Sequence, residues 1–196
     1  MRKIISLKNL HYLIFLLFLL LFGIFFLFYY FSFLNLVIYV TVSIVSGVLI
    51  CLAKYDFKHM EVHNVSSLSL LLFLFAFNII LFLVLGSEFE YILGNNFVYS
   101  PYNNFLGALL LGSIFQLIVL VSKEKALGQG DVRIALITGL LIGYSNLMFW
   151  SYITVFSAIA YALFIGKKKG KLKGLHIPFV PFMILGILTV ILIKIL

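Results

Sequence analysis

The sequence holds two aspartates, Asp56 and Asp131, and each stands where a long apolar run meets polar residues. Asp56 follows the uncharged stretch that ends at Ala53, and Asp131 precedes the one that begins at Ile134. Two carboxylates brought to one place can divide a single proton, so that one takes a proton from water while the other donates. Such hydrolysis needs no metal and no cofactor, and none is expected. Around Asp131 the order is Leu127-Gly128-Gln129-Gly130-Asp131-Val132-Arg133. Its glycines permit positive φ and the close approach of another segment. The same Asp before an apolar run would also serve as a helix N-cap. With no strand before it and no third glycine after it, the pair is not a dinucleotide fingerprint.

Other candidates carry less. His59 and His63 are four residues apart with Glu61 between them, but the order is not His-Glu-x-x-His and no third ligand is evident. They read as solvated loop histidines. His11 and His176 fall at ends of apolar runs, where a polar ring tip is ordinary. Cys51 is the one cysteine; it can form neither an internal disulfide nor a paired-cysteine zinc site, and reads as a small apolar side chain packed in a helix.

The elements that must position the aspartates follow from composition. Of 196 residues 64% are hydrophobic and 10% charged, with a mean hydropathy of +1.23. A soluble domain is about a quarter charged, so a soluble enzyme, a disordered binder and a nucleic-acid module are excluded. The chain is a multispanning membrane protein. A crossing takes about 20 apolar residues. Asn9 to Ala53 supplies two, broken near Ser32-Phe33-Leu34-Asn35, and is too long for a cleaved signal peptide. Val65 to Leu85 supplies a third and Phe105 to Ser122 a fourth, with Gly86 to Asn104 between them as an exposed loop. Ile134 to Gly166 reads as a short helix and a full one meeting at Gly143-Tyr144-Ser145-Asn146, and Ile177 to Ile193 as the last span. The fold class is thus all-α, a polytopic membrane helix bundle of seven spans, N-terminus in and C-terminus out, forming a single domain over 1–196. In that orientation every Lys and Arg except Lys194 is cytoplasmic, as the positive-inside rule requires. Both aspartates then lie at one depth, at the cytoplasmic ends of their helices.

Three segments resemble the type IV prepilin peptidases. Lys54-Tyr55-Asp56-Phe57-Lys58-His59-Met60-Glu61-Val62-His63-Asn64 is similar to that family's first aspartate motif, Asp-x-Lys followed by a hydrophobic residue, Pro and Asn. Gly128-Gln129-Gly130-Asp131-Val132-Arg133 resembles its Gly-x-Gly-Asp-x-Lys motif, and Ile177-Pro178-Phe179-Val180-Pro181-Phe182 the Pro-Phe-Gly-Pro-Phe that opens its last helix. The order is the family's own. His63 stands in place of Pro, Arg133 of Lys and Val180 of Gly; the aspartates and their glycines are untouched.

The resemblance implies an aspartic endopeptidase with Asp56 and Asp131 as the catalytic pair. It would cleave the basic leader from prepilin-like proteins at the cytoplasmic face of the cell membrane. Its partners would be that substrate and the lipid bilayer, without nucleic acid. The extra helix and cysteine-rich domain that accompany methylation in many members are not seen in this sequence, so methyl transfer is not expected. Two rivals fit less well. Presenilin and signal-peptide-peptidase proteases pair their aspartates on consecutive helices and carry Pro-Ala-Leu, which is absent here. A proton-relay transporter would favour mid-membrane carboxylates and paired repeats.

Overall fold

The computed structural model describes residues 33–86, 89–93, 97–169 and 177–195. The chain divides into two compact units, Met1–Gly47 and Val48–Leu196. The expected first span, His11, His176, Lys171 and Lys173 lie outside the described residues.

Six α-helices follow one another: α1 Phe33–His59, α2 Asn64–Leu85, α3 Pro101–Ser122, α4 Gln129–Ile142, α5 Leu147–Lys169 and α6 Val180–Ile195. Four stretches, Leu36–His59, Asn64–Leu85, Pro101–Ser122 and Tyr144–Lys168, are long and apolar enough to cross a membrane. This is an all-α membrane helix bundle. α4 and α6 are shorter, at 14 and 16 residues, or roughly 21 and 24 Å at 1.5 Å per residue. The site is built at their N-termini.

The break between α4 and α5 falls where the sequence places it. Gly143 takes φ +69°, a conformation that favours glycine, and its N–H closes on Gly139 O at 3.0 Å. A short 3-10 turn, Tyr144–Asn146, then leads into α5.

The loop expected from Gly86 to Asn104 is corrected. Strands β1 Tyr91–Leu93 and β2 Phe97–Tyr99 pair antiparallel, Tyr91 opposite Tyr99, and Phe97 and Tyr99 are buried. α3 also starts before Phe105. Pro101, with its φ already fixed, occupies the helix start, where its missing N–H costs nothing. Asn104 is thereby drawn inside the helix.

There it meets a polar group the sequence reading passed over. Asn78 is fully buried midway along α2. Its amide donates to Leu74 O at 2.9 Å and to Leu140 O at 3.3 Å, while its Oδ1 accepts from Asn104 Nδ2 at 2.9 Å and Tyr99 OH at 3.2 Å. A polar side chain amid apolar helices must find such partners. The network ties α2, β2, α3 and α4 together at the end away from the aspartates.

α3 and α4 pack through glycine, as helices without a hydrophobic driving force between them commonly do. A Cβ on Gly139 would fall onto the backbone of Gly107 and Ala108, and one on Gly112 onto the Leu136 side chain. Gly186 on α6 is likewise closed in by Thr154 and Trp150 of α5, and Trp150 Nε1 donates to Met183 O at 2.9 Å.

Candidate active site

Asp56 lies inside a helix, not after one. α1 runs on past Ala53, where the uncharged stretch ends, to His59. Helical periodicity explains why. Leu49, Leu52 and Asp56 fall on one buried face, while Lys54 and Lys58 point outward and are exposed. A helix can leave an apolar layer without ending, provided that its charged residues face solvent. Asp56 is 4% exposed, and its Oδ2 has no hydrogen-bond partner among the described residues.

α1 closes when Met60 N–H bonds to Asp56 O at 2.8 Å. Met60 adopts φ +53°, a costly left-handed conformation for a side chain of this kind. The tight turn brings His63 directly to the N-cap of α2, where its Nδ1 accepts from Ser66 N–H at 3.3 Å and lies 2.9 Å from Ser66 Oγ. The φ of His63 is −65°, the value proline would impose, so histidine keeps the backbone and adds a cap. Tyr55 lies between the two histidine rings, 4.5 Å from His59 and 5.4 Å from His63. The loop histidines are in fact a helix end and a helix cap.

Asp131 is the third residue of α4 rather than its N-cap, which is Gly128. Its Oδ2 accepts from Gly128 N–H at 2.9 Å. The two aspartate motifs touch. A Cβ on Gly130 would lie 2.6 Å from a Val62 methyl and 2.7 Å from Val62 Cβ, so the α1–α2 turn packs directly on the glycine beside Asp131. Arg133 Nη1 donates to Asn64 Oδ1 at 2.7 Å, joining the last residue of the first motif to the last of the second. Both contacts escaped the sequence reading. The glycine at 130 was their visible signal.

The third motif closes the site. Val180, the first residue of α6, is buried, and its backbone amide acts on the Asp56 carboxylate. The rings of Phe57, Tyr161 and Phe182 gather beside it, with Tyr161 and Phe182 centred 5.3 Å apart. Asp131 is thus held by the Gly128 backbone amide at the start of α4, and a backbone amide at the start of α6 acts on Asp56. Sequence reasoning had no means to see these donors, since every residue but proline carries one.

Asp131 lies near enough to act electrostatically on Asp56. Asp131 precedes the apolar run of α4. Burial raises its carboxyl above the ordinary range, and the Gly128 N–H opposes that rise by favouring the anion. Cys51 takes no part and is exposed on α1, not packed inside as its apolar surroundings suggested.

No curated protein and no solved structure matches the chain. A model of the type IV leader peptidase family matches residues 43–166, which include both aspartates and the contacts between their motifs. On that match, the chain belongs to the type IV leader peptidase family.

Proposed function

We propose that this membrane protease is an aspartic endopeptidase, with Asp56 and Asp131 as its catalytic pair, that removes the basic leader from prepilin-like proteins at the cytoplasmic face of the cell membrane. One observation carries the reading. The segments that bear two carboxylates far apart in sequence touch, Val62 packing on Gly130 and Arg133 bonding Asn64, and one carboxylate acts electrostatically on the other. α2 and α3 lie between them in the chain, unlike the consecutive helices of the presenilin type.

The chemistry divides between the two. Asp131, in the first turn of α4 where the helix dipole favours an anion, takes a proton from water, and the water oxygen attacks the scissile carbonyl. Asp56 gives its proton to the carbonyl oxygen. When the tetrahedral intermediate collapses, the C–N bond breaks, the amine leaves with the proton held on Asp131, and Asp56 recovers its own from the intermediate's hydroxyl. Cleavage alone is proposed.

Cleavage of a purified prepilin-like precursor tests the proposal, and its pH dependence tests the shared proton. kcat/KM should be bell-shaped, because neither the fully protonated nor the fully ionised pair is competent. Since burial raises Asp131, activity should fall as pH drops through a value above about 3.9, the ordinary aspartate pKa. A profile flat through the acid range would contradict a base at Asp131.

Orientation is testable separately. A reporter fused after Gly170 should read cytoplasmic, and one fused at Asn95 should read external, because basic residues stay inside. Both reporters on one side would remove the split at Gly143 from the topology.

A further inference from the structure

Gly130 and Arg133 stand three residues apart on α4, on one helix face, and both meet the α1–α2 turn. Val62 leaves no room for a Cβ on Gly130, and Asn64 Oδ1 accepts from Arg133 Nη1 at 2.7 Å. The first contact is steric and has no direction, so alone it would let the turn pivot on α4. The second is short and charge-assisted, and its direction is fixed. About 4.5 Å of helix rise separates the two points. Together they stop the pivot.

What the turn holds is the end of α1. Met60 N–H closes on Asp56 O at 2.8 Å, so the backbone of Asp56 moves with the turn. Among the described residues, α2 and α3 each lie close along α4, whereas from Val48 onward α1 approaches none of the other helices so closely. Asp131 is therefore carried by the tighter part of the bundle. Asp56 is carried by a helix whose end is tied to it through four residues, Met60 to His63. We infer that Arg133 is a positioning residue: its hydrogen bond to Asn64 docks the α1–α2 turn on the first turns of α4 and so sets where Asp56 stands relative to Asp131. This rests on the peptidase reading above. Arg133 acts through the turn and touches no reacting atom.

The test breaks this hydrogen bond from each side. Arg133→Met removes the donor and keeps a long apolar stem. Asn64→Ala removes the acceptor at an exposed position in the first turn of α2, where alanine suits the helix. Arg133→Lys keeps a cationic donor. In R133M and N64A, kcat on a purified prepilin-like precursor should fall about 10²-fold, the order that a displacement of roughly 1 Å produces at reacting groups. KM and the thermal unfolding midpoint should change little. The double variant should be no slower than either single one, because both remove the same bond. R133K should recover most of the loss.

A residue that only supports the fold would lower the unfolding midpoint in step with the rate. One that binds substrate would raise KM in R133M and leave N64A unaffected. Either pattern overturns the inference, as do additive losses in the double variant or R133K as slow as R133M. If R133M does not fold, N64A decides, and a wild-type kcat there overturns it. All these results leave wild-type cleavage and its dependence on Asp56 intact, so the peptidase reading survives. If wild type does not cleave, or Asp56→Asn retains activity, that reading falls and takes the inference with it.

Discussion

Asp56→Asn and Asp131→Asn should each lower prepilin cleavage by about 10³-fold or more, the range expected when a general acid or base is lost, while the protein still inserts and folds. The double variant should be no worse than either single one, because two groups sharing a proton act as a unit. Asparagine at 131 still offers an oxygen to the Gly128 N–H, so the start of α4 survives. What each variant loses is the titratable proton. Initial rates on one substrate, with thermal unfolding of the same preparations, separate lost chemistry from lost fold. Additive losses in the double variant would mean that the aspartates work independently.

The second large effect is structural. A Cβ on Gly139 has no room, because it would meet the backbone of Gly107 and Ala108 and not a side chain able to turn away. Gly139→Ala should force α3 and α4 apart and cost about 3 kcal/mol, at the upper end of overpacking effects. Since α4 carries Asp131, activity should fall with stability. Leu109→Ala, on an exposed position of α3, should change stability by less than about 0.5 kcal/mol. Thermal unfolding in detergent distinguishes the two, and equal midpoints would show that the α3–α4 contact is looser than described.

How far the sequence could be read depends on what each feature leaves in residue types. Spans are legible because hydrocarbon must be faced by apolar side chains along α2, α3 and α5. The Gly143 break is legible because an unbroken helix would place the lysines from 167 onward on the wrong side. Asp56 and Asp131 stand out because carboxylates are rare in such surroundings. The end of α1 misled for a physical reason. Charge marks where the chain meets polar surroundings, and helical hydrogen bonding continues past that level, carrying Lys54 and Lys58 outward and Asp56 inward. The hairpin was lost among loop-forming residues because its pairing is stabilised by burial of Phe97 and Tyr99, which local sequence does not display. Asn78 was visible in an apolar span, but its partners Tyr99 and Asn104 come from elsewhere in the chain. The donor on Asp131 is a backbone amide and leaves no side-chain trace.

The central claim is that this pair hydrolyses a peptide bond at the junction of a basic leader and an apolar segment. Intact-mass spectrometry of a purified prepilin-like precursor, incubated with wild-type protein in lipid vesicles, tests it most directly. The expected result is two product masses that sum to the precursor plus one water, from a single cut that frees the basic leader, with neither product formed by the Asp56→Asn or Asp131→Asn protein. An uncut precursor, or the same cut made by both variants, would contradict it.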